Sequence, residues 1–234
     1  MKRNYMISVA MATYNGEKYI KEQLDSILSQ LNVDDELIIS DDGSTDNTLN
    51  IIEAYHDRRI KIYNGPRKGV KQNFANAISH CNGKYIFLSD QDDTWTENKI
   101  VIMLEAFENN EQVKVVVHDN VIVDENMNII KESFYKLRNS KPGIIKNIIK
   151  NSYIGCCMAF DASLKEKILP IPNNIEMHDQ WIGIICEKYG KSVFIKDRLI
   201  NYCRHGDNVS SLNHYPLSKM LKNRFIFIKE LLKK

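Results

Sequence analysis

The stretch Ser89-Asp90-Gln91-Asp92-Asp93 sets three carboxylates in four positions, and they repel one another unless a cation or protons intervene. Hard oxygen donors of this kind suit Mg²⁺ or Mn²⁺. In an extended loop Asp90 and Asp92 point to the same side. The plainer reading is an acidic turn capping the next helix. A second cluster, Ser40-Asp41-Asp42-Gly43-Ser44-Thr45-Asp46, pairs two more acids. Ser44 or Thr45 can cap a following helix and Asp46 suits its first turn. That leaves Asp41 and Asp42 unexplained, and a carboxylate there can accept the imide N–H of uracil or thymine. A third cluster, His178-Asp179-Gln180-Trp181, opens a helix. Asp179 is an ordinary helix-start residue and Trp181 an ordinary packing residue. The same N-terminus also keeps a carboxylate ionised, as a general base must be. Thr13-Tyr14-Asn15-Gly16 is a tight turn with exposed backbone N–H groups. In Tyr202-Cys203-Arg204-His205-Gly206-Asp207-Asn208, His205 reads equally as a metal ligand and as a polar loop residue.

The elements that must carry these clusters alternate through the first half. Apolar runs at Met6–Ala12, Glu36–Ser40, Ile60–Tyr63 and Lys84–Ser89 suit parallel strands. Helical spacing marks Glu17–Leu31, Thr45–His56, Val70–Cys81 and Thr96–Asn109, the last with Thr94 or Thr96 as N-cap. Four such alternations predict an α/β fold whose mainly parallel sheet is flanked by helices. The acidic clusters then fall beyond the carboxyl ends of strands, where open sheets bind ligands. After Val113 the pattern loosens. Val113–Val123 reads as a strand, Asp124–Asn128 as a turn, Pro142–Lys150 as a helix and Ser152–Phe160 as a strand. Ala162–Leu169 and Met177–Tyr189 read as helices, and Ser192–Arg204 as one or two strands. No repeat or linker divides the chain. Residues 1–213 are expected to form one catalytic domain, with a nucleotide half (1–119) and an acceptor half (120–213).

Net charge is +2 over 234 residues, which gives no electrostatic case for nucleic acid. The five cysteines form no C-x-x-C pair and suit reduced, buried thiols. No apolar run approaches the ~20 residues of a membrane span, and no signal peptide is legible, so the expectation is a cytoplasmic protein. Residues 214–234 stand apart as a basic amphipathic helix, with Leu217, Met220, Leu221, Phe225, Ile228, Leu231 and Leu232 at helical spacing. It reads either as a helix docked on its own domain or as a peripheral contact with the inner face of a membrane.

Taken in order, Ser8–Gly16, Ser40–Thr48, Leu88–Asp93, His178–Trp181 and Tyr202–Ser210 resemble glycosyltransferase family 2, the inverting enzymes of GT-A fold. The Ser-Asp-Gln-Asp-Asp form and the late His-Gly-x-Asn-x-Ser stretch look most like bacterial rhamnosyltransferase-type members, which build surface polysaccharides. The resemblance implies that one sugar moves from a UDP- or dTDP-sugar to a hydroxyl of a glycan or lipid-linked glycan. Thr13 and Asp41 would contact the pyrimidine, with Tyr14, Asn15 and Asp42 beside them. Asp90 would reach the ribose and the shell of the metal, Asp92 would ligate Mg²⁺ or Mn²⁺, and His205 would face metal or diphosphate. Asn73 would help hold the nucleotide, and Asp179 would be the base. Met11 departs from the proline of many relatives and His178 from their glutamate, which leaves Asp179 as the strong base candidate there. The Gln-x-x-Arg-Trp of processive members is absent, so a single transfer per encounter is expected. Two other readings are a nucleotide-sugar-binding module with little catalysis and a nucleotidyltransferase. The latter lacks its early glycine-rich phosphate loop here. A glycosidase would pair acids without needing a nucleotide half.

Overall fold

The structure is a computed structural model that describes residues 3–206 and 216–234. Four strands, β1 (Ile7–Thr13), β2 (Glu36–Asp41), β3 (Ile60–Asn64) and β4 (Tyr85–Ser89), pair in parallel in the order β3-β2-β1-β4. Every residue of β1, β2 and β4 is buried, as strands covered on both faces require. Helices α1 (Ile20–Leu28), α2 (Thr48–Glu53) and α3 (Val70–His80) connect them. Strand order reverses between β1 and β4, and such a switch point opens a crevice at the carboxyl ends.

The sheet continues with mixed direction. A short β5 (Thr94–Trp95) precedes α4 (Lys99–Glu108), and the long β6 (Val113–Asp124) turns through Asp124–Asn128 into β7 (Ile129–Lys131). Beyond α5 (Phe134–Arg138) and α6 (Ile144–Ile149), β8 (Met158–Asp161) runs antiparallel between β4 and β6. Then come α7 (Lys165–Ile168), α8 (His178–Tyr189), β9 (Lys191–Arg204) and α9 (Leu217–Leu231). β9 pairs in parallel with β6 and antiparallel with β5. β9 follows β6 along its whole length, with register shifts around His118, Asp119 and Val121, while β8 pairs with the first half of β6 and β7 with the second. One buried apolar cluster runs from Ile7 to Phe227.

Several local expectations change. Thr94 and Thr96 cap nothing: Thr94 lies in β5, and α4 starts after Asn98, whose left-handed backbone (φ 64°) makes the turn. The second helix starts at Thr48, because Asp46 accepts from both the backbone N–H and the hydroxyl of Thr48 while Ser44 bonds Asp41. Within Ser152–Phe160 only the end is strand. Tyr153 packs on α8, where a Cβ on Gly183 would sit 2.4 Å from its ring, and Gly155–Cys157 forms a 3₁₀ turn. Ser192–Arg204 is one strand. The segments β7 and α5 were not anticipated, although Ser133 caps α5 by accepting the Lys136 N–H.

Candidate active site

Three loops meet over the crevice, from the ends of β1, β2 and β4. Asn15 takes a left-handed backbone (φ 47°), and its side chain accepts the Thr45 N–H at 2.8 Å. The Asn15 N–H donates to the Ser44 hydroxyl and the Gly16 N–H to the Thr48 hydroxyl, at 2.8 and 2.7 Å. The first loop is thus laced to the second. Gln91 laces it to the third: its amide accepts the Tyr14 N–H (2.9 Å) and donates to the Tyr14 carbonyl (3.0 Å). Any side chain on Gly16 would collide with that amide, at 2.4 Å from a Cβ. Sequence reasoning passed over Gln91, which drew no notice between two acids. The Tyr14 ring stays exposed.

Asp41 is buried and turned into its own loop. It accepts from the Thr13 hydroxyl (2.9 Å), the Gly43 and Ser44 N–H groups and the Ser44 hydroxyl. Asp42 accepts the Arg67 and Gly69 N–H groups at 2.6 and 2.8 Å, fixing the turn before α3. Asn73, on α3, accepts the Ser40 hydroxyl and donates to the Thr13 carbonyl. Asn73 is 2% exposed and supports the floor beneath the loops, a position from which it would hold the nucleotide through Thr13 and Ser40.

Asp92 and His205, 113 positions apart, meet at 2.8 Å, because β5 pairs with β9 and carries the end of β9 to the acidic loop. The His205 imidazole stacks on Tyr19, with ring centroids 4.5 Å apart. Asp93 has another role: it accepts the Cys203 N–H at 3.1 Å, while its second oxygen is buried with no hydrogen-bond partner among the described residues. Behind the loop Lys99 is fully buried, lies 4.0 Å over the Trp95 ring and donates to the Cys156 carbonyl. Burial lowers its pKa to about 8. Burial and the charge of Asp92 push Asp90 up to about 7, and burial followed by Asp92 and Asp90 pushes Asp93 well up.

These crowded acids fit a divalent cation, which would supply the positive charge they lack. Among the described residues, the tightest donor group is Asp90, Asp93 and Cys156, within 4.8 Å of one another, rather than Asp90, Asp92 and His205. A buried thiol is a poor ligand for Mg²⁺ or Mn²⁺, and Asp93 is engaged with β9, so the Asp92–His205 side has the better donor chemistry.

Asp179 lies in the first turn of α8 and is 8% exposed. It accepts the Gln180 N–H and, at 3.4 Å, the Asn151 amide. The helix N-terminus does not hold it at an ordinary carboxylate pKa. Burial dominates and raises the group to about 7, against the pull of the Gln180 and Asn151 bonds. The negative charge of Asp179 in turn helps raise Asp90, so the two carboxyls are in electrostatic reach, whereas Asp41 is occupied in its own loop. His178 is buried, stacks on Phe74 at 4.1 Å and has no hydrogen-bond partner for either ring nitrogen among the described residues. Burial lowers its pKa to about 3, so it is neutral at physiological pH. Asp119, in β6, is spent on structure: it accepts from Ser133, Asn120 and Tyr135 around α5.

The model of glycosyl transferase family 2 matches residues 8–169. Among curated proteins, dTDP-rhamnosyl transferase RfbG of Shigella flexneri is 48% identical over 98 residues, covering 38% of this chain and 34% of the relative. An Escherichia coli β-1,3-glucosyltransferase, WfgD, acting from UDP-Glc on α-D-GlcNAc-diphosphoundecaprenol, is 30% identical over 157 residues, 65% of this chain and 58% of the relative. The chain therefore spans about a third to somewhat over half of these relatives. Among solved structures, Staphylococcus aureus TarS 1-349 with UDP-GlcNAc superposes with a TM-score of 0.75 at 19% identity, over 97% of this chain and 66% of that one. A Pyrobaculum calidifontis mannosyltransferase with GDP-Man and Mn²⁺ gives 0.67 at 17%, over 99% and 65%.

Proposed function

The chain belongs to glycosyl transferase family 2 and has the GT-A fold, and from that premise we propose that it moves one sugar, with inversion, from a UDP- or dTDP-sugar to an acceptor hydroxyl in bacterial surface polysaccharide synthesis. The observation that carries this reading is the contact of Asp92 with His205 at the switch-point crevice, two residues from Asp90, whose carboxyl feels the charges of Asp92 and of the buried Asp179. The pyrimidine lies against Thr13 and Asp41. The hydroxyls of Thr13 and Ser44 are rotors, and rotation of either frees a lone pair of Asp41 for the imide N–H. Asp92, with Asp90 and His205, would hold Mg²⁺ or Mn²⁺, which supplies charge to offset that developing on the departing nucleoside diphosphate. Asp179 takes the acceptor proton on its carboxylate as the hydroxyl attacks the anomeric carbon from the face opposite the diphosphate. A pKa near 7 suits this task, since a base poised near the working pH is still ionised yet basic enough to take a proton. The acceptor is a glycan or a lipid-linked glycan, and the second would bring the enzyme to a lipid surface.

A panel of UDP- and dTDP-sugars, assayed with Mn²⁺, Mg²⁺ or chelator, tests the reading. It expects metal-dependent turnover of a donor from that panel and a product of inverted anomeric configuration by NMR. Full activity in excess chelator removes the metal from the proposal, and a retained configuration removes the single displacement.

A further inference from the structure

Helix α9 has two apolar stripes, and the domain uses one. Phe227 is buried edge-on to Trp181, Glu230 accepts the Asn174 amide, and Arg224 donates to the Ile149 carbonyl at the end of α6. The other stripe, Leu217, Leu221, Phe225, Ile228 and Leu232, recurs every three or four residues and is bare: Phe225 is 70% and Leu232 82% exposed. Lys222 and Lys229 are exposed beside it, and the one acid of the helix is paired with Lys233. Helix α6, packed against α9, adds Ile145, 76% exposed, and Ile149. The docked stripe is anchored by Phe227 and Glu230, while the residues of the other stay 42–82% exposed.

We propose that the bare face of α9 and α6 seats on an anionic lipid bilayer and so sets the enzyme beside a lipid-linked acceptor. The composition fits an interfacial helix: aromatic and aliphatic side chains on one stripe, lysines along its flank and too little apolar length to span. A second copy is a poorer occupant, because a two-fold contact presents the same helix twice, and its one acid is already paired with Lys233. The face is also wired to the chemistry. The Gln180 amide donates to the Asn147 carbonyl of α6 at 2.7 Å, and Asn151, just past α6, reaches Asp179. Helix α6 therefore joins the lipid-facing surface to the first turn of α8, where an acceptor hydroxyl must arrive. The acceptor class rests on the glycosyltransfer reading, whereas the binding of bilayer does not.

The test is co-sedimentation of the full chain with vesicles of phosphatidylcholine alone or mixed with phosphatidylglycerol. The chain should bind the mixed vesicles at low salt, leave the neutral ones, and lose binding as salt rises. Leu221→Glu with Phe225→Glu should cut partitioning by at least ~10-fold. Lys222→Gln with Lys229→Gln should cut it by about fivefold per lysine. Both pairs lie outside the site, so turnover with a soluble acceptor should be unchanged. The proposal is overturned if the intact chain ignores the mixed vesicles at low salt, or if the glutamate pair binds as well as the native chain. A dimer by light scattering that the glutamate pair dissolves would assign the face to a second copy and likewise overturn it. A chain that binds vesicles but turns over no nucleotide sugar keeps the bilayer surface and loses the transferase.

Discussion

At Asp179 burial and hydrogen bonding pull in opposite directions, and the outcome sets a pH dependence. The groups around it are the Asn151 amide, the Gln180 and Gly155 backbones and the charge of Glu176, and burial is the largest influence. A base with pKa near 7 is protonated below it, so the rate of transfer should rise with pH through about 7 and then level. A pH–rate profile flat from 5 to 8 would remove Asp179 from the role. Asp179→Asn should keep donor affinity and lose at least ~10²-fold in transfer. The same burial has a stability sign. The folded-state pKa lies above the ordinary value of 3.8, so ionisation costs stability from about pH 4 upward, fully above pH 7. Asp179→Asn should therefore melt above the native protein at pH 8, by up to about 4 kcal/mol, with the difference vanishing near pH 4. The sequence showed the residue and its helix start but not its environment, because Gly155 comes from a segment that read as plain strand and Asn151 from the join just before it.

At the level of elements, the sequence carried the parallel half well and the rest less well. Buried strands and amphipathic helices repeat in β1 to α3 with clear periods, and the three loops fall at the strand ends where they were expected. The links between loops were illegible, since they depend on which side chain crosses to which backbone. Gln91 is the clearest case. Its amide makes two bonds to the Tyr14 backbone, each of ordinary net worth of ~0.5–1.5 kcal/mol. Gln91→Ala should loosen the Tyr14 turn, raising the nucleotide Kd by roughly 10-fold with a smaller effect on the rate at saturation. Titration calorimetry with UDP and dTDP checks this, and unchanged affinity would show the loop to be held by Asn15 and Gly16 alone. Past Val113 the sequence signal weakened because β6 is shared among β7, β8 and β9, pairings that its own residues do not announce.

For the molecule as a whole, the proposed metal site in the acid-rich crevice should make stability depend on cation. A ligand that binds only the folded chain stabilises it by about 2.7 kcal/mol at 100 times its Kd. For a domain of this size that is roughly 5–10 °C in Tm. Mn²⁺ should therefore raise Tm by that amount in the native chain and not in Asp92→Ala, which should still fold. An equal rise in both would place the ion elsewhere. The insertion of β8 has a consequence for how the chain reaches this state. β4 finishes at Ser89, but its outer neighbour begins only at Met158. During synthesis the parallel half emerges first, with β4 exposing a row of unpaired backbone groups along a strand that is buried throughout in the finished fold, an open template for another chain. Such long-range pairing is slow to close. A fragment ending after α4 should consequently aggregate through that edge, and nascent chains should be most vulnerable between the completion of β4 and the arrival of β8.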